Sequence, residues 1–92
     1  MDERFVKQEK EKARALRQSR WWQTKIAEAA CYYCHKSPLK KIEITMDHLL
    51  PISEGGRSTK GNVVVACKSC NNKKKDLSLI DWQKYLTDHK DA

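Results

Sequence analysis

Two Cys-x-x-Cys pairs, Cys31/Cys34 and Cys67/Cys70, constrain this chain more than any other feature it carries. With 92 residues it can build only one small core, and a core of that size needs a covalent or metal staple to outweigh chain entropy. Thiolates from two chain-distant knuckles close a tetrahedral zinc site. Four sulfurs leave no open position for water, so such a zinc is structural and its binding energy is folding energy. The competing readings are two disulfides or a redox pair. No apolar signal segment precedes the cysteines and no βαβ pattern surrounds them, so the expectation is a reduced, cytoplasmic protein with a four-cysteine zinc site. His35, beside Cys34, is read as a knuckle side chain rather than a ligand.

Hydrophobic residues are 39% of the chain and no run of them approaches bilayer length, which excludes a membrane span. The formal net charge of +7 and the pI near 9.4 point toward a polyanionic partner, because Lys and Arg near phosphates release condensed counterions. Charge alone does not separate a nucleic-acid binder from an ordinary basic protein.

From about Glu3 to Ala30 there is no Gly or Pro and helix formers dominate, which predicts one long helix. Its first half is nearly all charge, so residues before about Ala13 are expected to project into solvent or onto a partner. The second half carries an apolar stripe of Ala15, Trp22, Ile26 and Ala29, which assigns Trp22 to the core rather than to base stacking. Lys41 to Asp47 alternates Ile42, Ile44 and Met46 with polar neighbours and predicts a half-buried strand. A loop with Pro51 and Gly55-Gly56 follows, then the β-branched run Val63-Val64-Val65-Ala66, then a short basic helix from Asn71 to Lys75. Ser78 and Asp81 resemble a capping box that opens a terminal helix with Leu79, Trp82 and Leu86 on one face, ahead of a polar tail. The expected architecture is a small zinc-stapled α+β domain, divided into an N-terminal basic helix (1–30), a core with the zinc knuckles (31–76) and a C-terminal helix and tail (77–92).

The residues that carry chemistry stand between and just after the knuckles. Met46-Asp47-His48-Leu49-Leu50-Pro51 is followed by Gly55-Gly56, by Asn62, and by Cys67-Lys68-Ser69-Cys70-Asn71-Asn72-Lys73-Lys74. In this order and spacing the segment from about Cys31 to Lys75 resembles the HNH endonuclease family, which carries Asp-His-x-x-Pro, a Gly-Gly loop, a central Asn, and Cys-x-x-Cys followed by His or Asn and a Lys. Asn71 stands where other members have His, which makes this an HNN variant.

The resemblance implies a ββα-metal (His-Me finger) hairpin around one cation, a bacterial or phage setting, and DNA cleavage that leaves 5′ phosphate and 3′ hydroxyl ends. The residue types suit that chemistry. The Asp47 carboxylate and Asn71 amide oxygen are hard ligands for Mg²⁺ or Mn²⁺, and His48 can be the general base for the attacking water. Asn62 is expected to brace the loop so that His48 stays oriented, and Arg57, Lys73 and Lys74 to contact phosphates beside the cut. The partner is then double-stranded DNA, and a monomer, favoured over a dimer, nicks one strand per active site. The alternatives are a non-catalytic zinc-knuckle module that binds nucleic acid and a zinc domain that docks a protein through its charged helix.

Overall fold

A computed structural model describes residues 2–28, 30–75 and 77–89. Asp2, whose carboxylate accepts the Arg4 N–H at 2.9 Å, caps helix α1, Glu3–Arg17. The helical stretch is not one rod: it breaks at Gln18-Ser19 and resumes as α2, Arg20–Glu28. Ser19 is the physical reason. Its hydroxyl donates to the Leu16 carbonyl at 2.6 Å and accepts the Trp22 N–H at 3.2 Å, closing one helix and opening the next.

The break redirects burial. The first half of α1 does not project into solvent, since Glu9 and Ala13 are 1% and 3% exposed and the helix lies against the hairpin loop. Ala15, expected on the apolar stripe, is exposed, and Ala29 lies outside the described residues. Helix α2 carries Trp22 into a core shared with Cys31, Leu39, Val65, Ala66 and Cys67.

Strands β1, Ile44–His48, and β2, Val63–Cys67, pair antiparallel, with Ile44 opposite Cys67 and His48 opposite Val63. A single 3-10 turn, Lys41–Glu43, replaces the first half of the expected strand, which leaves Ile42 82% exposed. Two strands alone are marginal in water, so the helices that cover them supply the rest of the core. Helix α3, Lys68–Lys75, packs on both strands and begins inside the second cysteine pair rather than at Asn71. Helix α4, Leu79–His89, starts where the Ser78 hydroxyl accepts the Asp81 N–H at 3.1 Å. It buries Trp82 edge-on against Tyr33, the ring centroids 5.0 Å apart. The polar tail expected beyond it lies outside the described residues. The result is an α+β domain with a ββα unit at its centre, and among the described residues no helix is long and apolar enough to cross a membrane.

The loop between the strands is held by its glycines. Gly55 ends a 3-10 turn, Ile52–Glu54, with a left-handed φ of 90°. At Gly56 a Cβ would stand 1.7 Å from the Leu50 carbonyl oxygen, a backbone contact that no side-chain rotation relieves. Gly56→Ala therefore displaces the chain just after His48, at an expected cost of at least about 1–3 kcal/mol. A urea midpoint equal to that of the wild type would contradict this.

Candidate active site and metal centre

The turn after α2 holds Cys31 and Cys34, while β2 ends on Cys67 and the first turn of α3 holds Cys70. His35, left-handed at φ 63°, lets this turn reverse sharply: its N–H donates to the Cys31 carbonyl at 2.9 Å, and the Cys31 N–H donates to the Lys36 carbonyl at 3.0 Å. The four sulfurs, all free thiols, lie within 4.8 Å of one another. Cys34 Sγ and Cys67 Sγ are 3.8 Å apart, close to the edge of a tetrahedron whose metal–sulfur bonds are about 2.3 Å. Backbone N–H groups already serve the sulfurs, Cys67 N–H to Cys31 Sγ at 3.3 Å and Cys70 N–H to Cys67 Sγ at 3.4 Å. At Cys31 burial acts to raise the thiol, but the N–H groups of Cys34, Cys67 and Tyr33 outweigh it and bring it down to about 7. Burial pushes the Cys34 and Cys70 thiols up. This cluster is positioned to hold a metal ion.

At the end of the hairpin opposite Cys67, Asp47 and His48 close β1, and Asn71 sits on α3. All three line one cavity of about 460 Å³, whose remaining walls include Ile52 of the loop and Leu79 and Trp82 of α4. Asp47 is held firmly. Its Oδ2 accepts the Lys74 ammonium at 2.8 Å and the Tyr33 hydroxyl. Lys74 also donates to the carbonyls of His48 and Leu49, the latter at 3.5 Å. Burial, then the hydrogen bond to Asp47, pushes the Tyr33 phenol up, so it stays a protonated donor.

His48 places Nε2 2.9 Å from the Ser58 hydroxyl. Burial holds its imidazole below the usual histidine range; Asp47 pulls the other way, while Lys74 and Arg17 add to the lowering. The ring is therefore neutral at physiological pH, the state a proton acceptor needs. Asn62 bridges the two ends of the loop: its Oδ1 accepts the Leu50 N–H at 2.9 Å, and its Nδ2 donates to the carbonyls of Leu50 at 3.1 Å and Arg57 at 2.8 Å.

The basic residues divide. Arg57 and Lys73 are exposed, the guanidinium 5.7 Å above the Phe5 ring and the ammonium 5.4 Å from the Tyr85 ring. Lys74 departs from the expectation of a surface lysine reaching out to phosphates: it is 7% exposed, with its ammonium turned inward onto Asp47. Sequence reasoning also passed over Tyr33, Ser58 and Glu9, which touch Asp47, His48 and Ser58 in turn. Tyr33 offered one signal, its place between two cysteines. The bond between Glu9 and Ser58 joins positions 49 residues apart, which no local pattern encodes.

A family model described as HNH endonuclease matches residues 31–79, more than half of the 92 residues. No curated protein matches the chain.

Proposed function

The chain belongs to the HNH endonuclease family, and from that premise we propose that it is a divalent-metal-dependent DNA endonuclease whose general base is His48. The observation that carries this reading is the shared cavity: Asp47, His48 and Asn71, from two elements, line one concave site. Both donors to Asp47 use Oδ2, so Oδ1 is the oxygen that would bind a cation, together with the Asn71 amide oxygen. Oxygen donors of this kind suit Mg²⁺ or Mn²⁺. When bound, such an ion offsets the charge that builds on the phosphate and the leaving oxygen.

The residues themselves do the rest. His48, held neutral, takes a proton from the attacking water. Asn62 clamps the loop that begins just after His48. Lys74 draws the Asp47 carboxylate and the His48 main chain toward α3. Arg57 and Lys73, both exposed, are the side chains that would contact flanking phosphates. The cysteine cluster holds structural zinc, which fits a reducing compartment such as the cytoplasm. One site cuts one strand, so a monomer nicks double-stranded DNA.

Incubation of supercoiled plasmid with the zinc-loaded protein and Mg²⁺ or Mn²⁺ tests the proposal. Nicked circles are expected from the wild type, and a rate about 10²–10⁴-fold lower from His48→Ala. Plasmid left intact by both proteins across several metals, with binding that weakens steeply with salt, would favour a non-catalytic nucleic-acid-binding module.

A further inference from the structure

A hydroxyl carries one proton and a carbonyl oxygen carries none, and together these facts determine which nitrogen of His48 is the base. The Ser58 hydroxyl stands between two partners: the main-chain carbonyl of Glu9 at 2.6 Å and His48 Nε2 at 2.9 Å. The carbonyl can only accept, so the serine proton points there. Toward His48 the hydroxyl must therefore accept, which requires Nε2 to carry the imidazole proton. Nδ1 is left with the lone pair, on a residue that lines the cavity.

Ser58 is itself held by a residue far away in the chain. Its N–H donates to Glu9 Oε1 at 2.6 Å, and that bond, opposed by burial, keeps the Glu9 carboxyl below the usual range. Lys12 caps the other oxygen, Oε2, at 3.2 Å. Glu9 and Ser58 are 1% and 8% exposed, so the contact is shielded from water, which would otherwise exchange with each partner. Helix α1 lies outside residues 31–79. It is nonetheless the element whose carbonyl and carboxylate orient the serine.

We propose that Ser58 and Glu9 are positioning residues that lock His48 in its Nε2-protonated tautomer, which makes helix α1 a working part of the active site. The catalytic half rests on the reading of His48 as general base; the tautomer itself does not. A scaffolding role and a tautomer-setting role are separable here. Ala at position 58 keeps the main-chain N–H that donates to Glu9 and removes only the hydroxyl that faces the imidazole.

The test uses the full zinc-loaded chain labelled with ¹⁵N in its histidine rings. Long-range ¹H–¹⁵N correlations at neutral pH report which ring nitrogen is protonated, with His48→Ala assigning the signal among the three histidines. The wild type is expected to show Nε2–H alone. Ser58→Ala should move both nitrogens toward averaged shifts and lower kcat by about 10–100-fold with KM little changed, the usual size of an outer-shell loss. Ser58→Thr, which keeps the hydroxyl, should restore both readouts. Glu9→Gln, which keeps an acceptor for the Ser58 N–H, should behave as the wild type, and Glu9→Ala should not.

A wild-type signal from Nδ1–H, or a Ser58→Ala protein with unchanged shifts and unchanged kcat, overturns the proposal. If Ser58→Ala does not fold, Ser58→Gly, which also keeps the main-chain N–H and removes the hydroxyl, provides the same comparison. Full cleavage by His48→Ala would sink the general-base reading, and with it the catalytic half of this proposal, without touching the tautomer result.

Discussion

Cys67→Ser is expected to unfold the protein as completely as a chelator unfolds the wild type. Cys67 is 3% exposed, ends β2, and contributes both a sulfur to the cluster and a side chain to the core around Trp22. Its N–H supports the Cys31 sulfur, and its own sulfur accepts the Cys70 N–H. One substitution therefore removes one sulfur of the cluster and the N–H···S contact from Cys70, at the junction between β2 and α3. The magnitudes decide the outcome. Structural zinc in small domains contributes about 10–16 kcal/mol of apparent binding energy, as large as or larger than the about 5–15 kcal/mol by which native domains are stable. A hydroxyl in place of a thiolate needs to remove only part of that to leave no net stability. Far-UV circular dichroism and zinc content should fall together in Cys67→Ser, and EDTA should take the wild type to the same spectrum. A native spectrum for the metal-free wild type would show that the core stands without its staple.

Asp47→Asn should reduce metal-dependent cleavage about a thousandfold or more while the protein stays folded; Asp47→Ala should lose both cleavage and stability. Asn keeps an oxygen that can accept from Tyr33 and Lys74 and removes the charge a hard cation needs. Losing several kcal/mol of charge stabilisation corresponds to about three decades in rate, at about 1.4 kcal/mol per decade. Ala does something further. Lys74 and Asp47 have side chains only 7% and 12% exposed, and removing one member of a buried pair leaves the other charged and uncompensated, at about 3–5 kcal/mol. The carbonyls of His48 and Leu49 remain as acceptors for the ammonium and soften that cost. Thermal unfolding beside a plasmid assay separates the two effects. Wild-type cleavage by Asp47→Asn would remove Asp47 as a cation ligand, and wild-type stability in Asp47→Ala would show that the pair with Lys74 holds nothing together.

Much of the central unit was legible before any coordinates. The two Cys-x-x-Cys pairs, the alternation through Ile44 and Met46, the β-branched run before Cys67 and the succession Asp47-His48, Asn62, Asn71 are all carried by residue type and order along the chain. Metal ligation and strand pairing demand particular residue types at nearly constant intervals, so these features survive in one dimension. The helix break was not legible in the same way. Ser is only mildly unfavourable inside a helix, and Ser19 ends α1 because its hydroxyl serves Leu16 and Trp22 at once.

Lys73, Lys74 and Lys75 look alike as letters. Successive helical residues point about 100° apart, so the seating of α3 on β1 selects the middle one to turn inward onto Asp47. The same holds for Glu9, one charge among many in a polar helix until α1 folds across the loop and meets Ser58. Residue type and spacing singled out Asp47, His48 and Asn71 as candidates, and the fold brings them to one cavity. Which groups hold them in place was left to contacts through space, because a hydrogen bond across 49 positions leaves no trace in the local order of residues.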